Sequence, residues 1–352
     1  MPDWTKSMRQ TFEYYTVDPL TWGDSKRLTN VKSCSITRDS EADTLGSATI
    51  DVTESVGECY IREYLVTIQN GIRERFPLGT HLVQTPSSSF NGKIRDVTMD
   101  AYTPLLELNE NPPPLGYSIL KGQNILSWAY KLVRENMRGP IVETTTDDTL
   151  SFDFVANTDD TWLTYVRDLI SNAKYELTLD EMGRTLFSPR QDTASLTPVW
   201  TYTDDNSSIL YPEISMDHDM YGIPNVVEVI YSKGSGNMYS TVKNEDENSP
   251  LSIKNRGREI VYRITDPDLT GEPTQAQLDE YAKQTLRNLS TLEYTISYSH
   301  GYCPVRVGDC VMLNYARAGV TNIKAKVISQ TIKCKSGCEV SEKATFTTNL
   351  WG

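Results

Sequence analysis

The residues of this chain with the right chemistry for catalysis or metal binding are few: three histidines, six cysteines and some paired acids. His81, His218 and His300 stand far apart and share no zinc-protease helix motif. Asp217-His218-Asp219 is the most polar run and has metal-ligating residue types. Its flanks, Ile214-Ser215-Met216 and Met220-Tyr221-Gly222, read as a strand running into a loop, so a solvated loop is expected. Asp147-Asp148, Asp159-Asp160 and Asp204-Asp205 sit where helix caps and turns favour carboxylates. Gly234-Ser235-Gly236 lacks the third glycine and the following helix of a dinucleotide loop. No Gly-x-Ser-x-Gly elbow is present. No carboxylate stands alone in an apolar stretch, where its pKa would rise for general-acid work. No catalytic, cofactor-binding or metal-ligating residue is assigned, and neither enzyme activity nor a cofactor is expected.

The cysteines are Cys34, Cys59, Cys303, Cys310, Cys334 and Cys338. Cys303, Cys310, Cys334 and Cys338 could supply four thiolates to zinc, but their spacing departs from paired C-x-x-C knuckles. Free thiols are the default for a long chain without an export signal. One sharper alternative is a disulfide. A hairpin centred between Ala318 and Gly319 would set Cys303 directly opposite Cys334, at cross-strand distance.

These groups sit in a chain of 352 residues with 34 Lys+Arg against 47 Asp+Glu, a net charge of −13. The composition, 38% hydrophobic and 23% charged, is that of a globular protein, and the length suggests two or three domains. An acidic surface does not suit gripping nucleic-acid phosphates. No apolar run approaches a membrane span, and Met1 to Gln10 lacks a signal-peptide stretch, so a soluble, cytosolically made protein is expected. Tyr outnumbers Phe by 20 to 7, which suits half-exposed sheet faces and subunit contacts.

The elements that must position these residues are mostly strands. Ala48, Ile50 and Val52 alternate with polar neighbours, as do Val97, Met99 and Ala101, and Tyr64, Val66 and Ile68 recur at the same two-residue spacing. Asn70-Gly71 predicts a tight hairpin with a return strand from Ile72 to Phe76. Pro86-Ser87-Ser88-Ser89 reads as a loop, and Asn109-Glu110-Asn111-Pro112-Pro113-Pro114 as a stiff spacer. The period then becomes helical over Ile125, Trp128, Ala129, Leu132 and Val133, stopped by Arg138-Gly139-Pro140. Leu150, Phe152 and Phe154 predict a strand. Asp159 or Asp160 is expected to cap a helix with the stripe Trp162, Leu163, Val166, Leu169 and Ile170. A hairpin follows, Tyr175 to Leu179 out and Leu186 to Phe187 back.

Val226 to Tyr231 then reads as a buried strand, and Lys233 to Asn237 as a turn or short loop. Thr274 and Gln277 form a capping box for a helix over 274–290, with Leu278, Tyr281, Ala282, Leu286 and Leu289 on its apolar face. Tyr294 to Tyr298, Val305 to Leu313 (interrupted at Gly308-Asp309) and Lys324 to Ile332 read as further strands.

This layout resembles the baseplate hub family of bacteriophage tails. The resemblance rests on Asp96 to Tyr102 with Leu105-Leu106, the Pro-rich joint and the helix from Asn124 to Val133. It continues through Thr149 to Phe152, Asp160-Thr161-Trp162, Tyr175-Glu176-Leu177 with Asp180, Gly183 and Phe187, and Asn225 to Val229. The helix Leu278 to Leu289 and Val307-Gly308-Asp309-Cys310-Val311 complete it.

The resemblance implies an α+β, mainly β fold, with two tail-tube-like antiparallel β-barrel domains and two smaller α/β insertions. The first barrel would span 1–112 and the α/β domain 113–195. The second barrel would combine 196–232 with 293–349, around an inserted segment at 233–292, and the helices fall only in the two insertions. It further implies a structural virion protein: a homotrimer forming a pseudo-six-fold ring that joins a hexameric tail tube to a trimeric central spike. Tube, spike, tape-measure and other baseplate proteins would be its partners. It would bind no nucleic acid specifically, would line a channel for DNA, and would be assembled in the host cytoplasm into the tail of the virion. The end at Trp351-Gly352 leaves no room for a spike or hydrolase, so separate partners are expected to supply them. The competing class is a carbohydrate-binding or cell-wall-acting tail protein, in which exposed Trp and Tyr stack on sugars.

Overall fold

The computed structural model describes residues 1–351 apart from 91, 94, 234, 235, 268 and 270–272, and describes only the backbone of Thr85. The expected turn over Lys233 to Asn237 therefore lies partly outside the described residues. The chain divides into two compact units, Met1–Ile214 with Ser297–Ala344, and Ser215–Ile296 with Thr345–Gly352.

The larger unit begins with seven strands: β1 Arg9–Val17, β2 Asp24–Leu28, β3 Val31–Asp39, β4 Gly46–Val52, β5 Tyr60–Gln69, β6 Ile72–Phe90 and β7 Arg95–Tyr102. Alternation places Ala48, Ile50, Val52, Val97, Met99 and Ala101 in the core at 2% exposure or less. Asn70 and Gly71 take positive φ (53° and 80°), the conformation a two-residue hairpin needs. The predicted loop at Pro86 to Ser89 is instead the far end of β6. Residues Ile72 to Leu82 pair with β5, whereas Thr85 to Phe90 pair with β7 alone. Pro86 thus sits where one side of the strand carries no ladder, and its missing N–H breaks nothing. A bulge between Val83 and Thr85 marks the change of partner.

A short helix α1, Leu106–Asn109, leads into the α/β module. This module contains β8 Ser118–Ile119, α2 Ile125–Asn136, β9 Ile141–Val142, β10 Phe154–Val155, α3 Trp162–Ser171, β11 Tyr175–Leu179 and β12 Thr185–Pro189. The stripes of α2 and α3 meet in one apolar core that includes Leu132, Val133, Val166, Leu169 and Phe187. The cap of α3 is Thr161, one residue beyond the predicted aspartates. Its hydroxyl accepts from Thr164 N while the Thr164 hydroxyl accepts from Thr161 N. The predicted strand through Leu150, Phe152 and Phe154 shrinks to Phe154–Val155. Leu150 is buried but Phe152 is 81% exposed, because the backbone of Leu150 bonds to Gly122 and Gln123 and the side chain of Asp153 accepts from Lys121 N.

The second strand set comprises β13 Trp200–Thr203, β14 Leu210–His218, β18 Thr291–Gly301, β19 Cys310–Tyr315, β20 Val320–Lys333 and β21 Glu339–Asn349; β14, β18 and β21 contribute residues to both units. Val305 and Val307 lie before β19 rather than in it. Among the described residues the pairings trace one open path, β14-β18-β21-β20-β3-β4-β7-β6-β5-β1-β2, with β19 and β13 branching from β20. Strands β1–β7 form one set and β13, β14 and β18–β21 a second, joined edge to edge by the antiparallel pair β20–β3. No ring of hydrogen bonds closes either set among the described residues.

The smaller unit carries its own sheet, β16-β15-β17, from β15 Val226–Tyr231, β16 Met238–Lys243 and β17 Val261–Thr265, with α4 Ile253–Arg256 between β16 and β17. Helix α5, Gln275–Leu289, starts at the predicted Thr274–Gln277 capping box. It buries Leu278, Ala282 and Leu286 against Val227, Val229 and Tyr231.

Candidate functional site

The polar residues singled out in the sequence go to separate places. Asp217-His218-Asp219 ends β14 in the smaller unit, beside an open depression of about 530 Å³. The His218 ring lies on Tyr294 at 4.9 Å, and Asp219 Oδ1 accepts from Tyr221 N at 2.7 Å, which makes the segment a turn. Among the described residues no group of three His, Cys, Asp or Glu side chains could hold a metal ion.

All six cysteines are free thiols. Strand β19 begins at Cys310, with Cys310 opposite Lys326, so Cys303 lies outside the hairpin that was to place it against Cys334. Cys334 N donates to Cys34 O at 2.9 Å. The hydrogen bond to Cys334, then burial, hold the Cys34 thiol well above its ordinary pKa. Cys303 Sγ instead lies 3.4 Å from Tyr202 Oη and 3.9 Å from His300 Nδ1.

That neighbourhood is a sealed ionic cluster. His300 and Glu342, at 0% and 2% exposure, form a buried pair, with Nε2 3.2 Å from Oε1. His300 Nδ1 faces the Gly301 carbonyl at 2.7 Å. Both ring nitrogens therefore face acceptors, the arrangement of an imidazolium. Burial opposes that charge, but the hydrogen bonds to Cys303 and Glu342 and the Glu342 carboxylate outweigh it and raise His300 to about 10. Burial likewise opposes the charge on Glu342. The cation and hydrogen bond of His300, with hydrogen bonds from Tyr298 and Gln330, hold the carboxyl below its ordinary value. Tyr298 donates to Glu342 Oε2 at 2.7 Å and Tyr202 at 3.3 Å. Cys303, His300 and Glu342 have the residue types of a nucleophile, its base and an orienting acid. All three are buried, at 2% exposure or less.

From Glu342 the cluster extends outward. Gln330 bonds to Glu342, and Arg38 Nη1 donates to Gln330 Oε1 at 3.1 Å. Arg38 and Arg306 both pair with Glu181, at 3.6 and 2.7 Å. Glu181 belongs to the turn between β11 and β12, so charges link the second strand set, β3 and the α/β module. The same turn docks on the first set. Trp22 Nε1 donates to Met182 O at 2.6 Å, and the Thr80 hydroxyl to Glu181 O at 3.1 Å. Arg62, 1% exposed, donates to Asp24, Thr80 and the carbonyls of Trp22 and Met182. A Cβ on Gly183 (φ +73°) would meet Thr80, Trp22 and Pro104 at 3.0–3.2 Å, so glycine is required by both conformation and space.

Beside this seam lies a cleft of about 810 Å³, walled by β3, β6, the loop Arg306 to Asp309 and strand β11. It lies where the α/β module meets both strand sets. No local sequence signal marks it. Its walls come from seven separate stretches of chain, and only the hairpin from Tyr175 to Phe187 lay within reach of local reading.

No protein-family model matches the sequence, and no curated protein matches it. Solved structures do. The tail protein of Neisseria meningitidis MC58 aligns over 97% of this chain and 98% of its own, with a TM-score of 0.60 at 12% identity. The 43 kDa tail protein of prophage MuSo2 from Shewanella oneidensis aligns over 95% and 97%, with a TM-score of 0.57 at 12% identity. The chain therefore has the fold of these tail proteins along essentially its whole length.

Proposed function

We propose that this chain is a structural protein of a phage-type tail, a baseplate hub. Three copies form a pseudo-six-fold ring between a hexameric tail tube and a trimeric central spike. The observation that carries the reading is two strand sets within one chain, joined by β20–β3, on a fold shared end to end with two tail proteins. Two such sets per chain, in a closed ring of three, offer six β elements to a six-fold tube while keeping threefold symmetry for a spike. The domain division that goes with this reading is 1–112 and 196–232 with 293–349 for the tube-like pair, and 113–195 and 233–292 for the peripheral parts. A net charge of −13 suits a wall past which DNA moves without adhering. Tube, spike, tape-measure and other baseplate proteins are the proposed partners, and the assembled tail is the proposed location.

The His300–Glu342 cluster supports a load-carrying rather than catalytic part, because it is closed to solvent. The sugar-binding alternative draws no support from the tryptophans: Trp4 and Trp162 are buried and the other four are half-buried. Multi-angle light scattering of the chain, alone and with co-expressed tube and spike proteins, tests the proposal. A three-chain assembly is expected, and a monomer under both conditions would reject the ring.

A further inference from the structure

Strands β3 and β20 join the two strand sets, and a pair of thiols stands on that junction. The register runs from Ser329 opposite Asp39 to Lys333 opposite Ser35, so the next residues, Cys334 and Cys34, stand opposite each other. Cys334 N donates to Cys34 O at 2.9 Å, which carries the ladder one step past the end of β20. Side chains directly opposite on antiparallel strands share a face. Here it is the inward face: Ile36 and Ile332, the facing pair two residues along, are buried, and Cys34 and Cys334 are 5% and 8% exposed. The two thiols share a hydrogen bond, so the sulfurs themselves are neighbours. Opposed residues that carry a ladder bond lie about 5.5 Å apart at Cα, close to the usual spacing of a disulfide-linked pair.

The other thiols are placed differently. Cys303 packs on Tyr202 and His300, and Cys310 Sγ donates to Val311 O at 3.9 Å. Cys338 lies within electrostatic reach of Cys334, but it stands in the turn after β20 with φ +35°, and its N–H donates to Lys335 O. A link between Cys334 and Cys338 would close only that turn. A link between Cys334 and Cys34 would cross the junction.

We infer that Cys34 and Cys334 are a modification site, an oxidisable pair that closes to a disulfide and staples the two strand sets together. Sulfurs this little exposed need a small oxidant, and hydrogen peroxide is of that class. The shared hydrogen bond, then burial, keep the Cys34 thiol protonated, which makes it the slower attacker and gives the first step to Cys334. Cys334 Sγ attacks the O–O bond of peroxide, giving a sulfenic acid and one water. Cys34 Sγ then displaces the sulfenic oxygen, forming the S–S bond and releasing a second water. Two thiols and one peroxide thus yield one disulfide and two waters. Almost the whole chain lies between the two sulfurs, the case in which a cross-link restricts the unfolded chain most. Thiols stay reduced in the cytosol and pair outside it, so the staple sets once the chain leaves a reducing compartment. The inference does not depend on the tail reading, since both cysteines and the junction belong to this chain alone.

The test uses the full chain, treated with a slight excess of hydrogen peroxide, then unfolded, alkylated and digested. Mass spectrometry is expected to find one linked peptide pair joining Cys34 to Cys334 and alkylation at the other four cysteines. The untreated chain should alkylate at all six. The melting midpoint should rise by about 5 °C on oxidation and return with dithiothreitol. Cys34→Ser should abolish both effects, and Cys310→Ser should leave both intact. Free Cys34 and Cys334 after peroxide, their conversion to sulfinic acids, or a link from Cys334 to Cys338 would overturn the inference.

Discussion

The interior of the α/β module and the interior of the second strand set are built on opposite principles. Between α2 and α3 the core is apolar, with Leu132, Val133, Val166 and Leu169 at 1% exposure or less. In the second strand set the centre holds an imidazolium, a carboxylate, two tyrosine hydroxyls and Gln330. The apolar core tolerates approximate fit and gains from every methyl group it buries. The polar one depends on every donor meeting its acceptor, and losing one member strands the others. A part that must keep one geometry while coupled to neighbours benefits from the second kind, and Arg38 and Glu181 carry that geometry into the module.

Removing one side of the ionic cluster should have the largest effect. Glu342→Ala leaves His300 charged and unpaired in a sealed site, and a loss of about 3–5 kcal/mol is expected in denaturant unfolding. An apolar deletion such as Leu169→Ala should cost about 2–5 kcal/mol, set by how far the cavity collapses. If Leu169→Ala proved much the more damaging of the two, the contrast between the interiors would fail.

Titration sharpens the same contrast. His300 is raised from 6.5 to about 10, so its contribution is complete below pH 6.5 and disappears as pH rises through about 10. Glu342 is lowered, so its contribution is complete above 4.5 and fades as pH falls through its depressed value. The melting difference between the native chain and His300→Gln should therefore shrink from pH 6.5 toward 10, while that for Leu169→Ala stays flat. Parallel pH profiles would show that His300 is uncharged. The smallest effect belongs to a helix end: Thr161→Ala removes the α3 cap and should cost about 1 kcal/mol, read as a small shift in the unfolding midpoint.

This ordering also marks what the sequence could disclose. The stripes of α2, α3 and α5, the capping box at Thr274 and the Asn70-Gly71 turn are local signals, and each led to the right element. The Pro86 to Ser89 segment misled because composition cannot say that a strand has a partner on one side only. The polar interior was invisible for a related reason. His300 meets Glu342, and Arg38 meets Gln330, across sequence gaps that no periodicity spans. Arg62 and Glu63, which are fully buried, sit in a strand whose alternation predicted one wet face. The β11 hairpin was legible, but its role as the wall of a cleft depends on segments far from it in sequence.

Counting copies in the assembled particle tests the central claim most directly. Met1 is 91% exposed, so an N-terminal tag can carry a gold label. Electron microscopy of labelled tails should show three labels arranged around an open axis at the distal end of the tube. Tails without label, or a label count incompatible with threefold symmetry, would contradict the account.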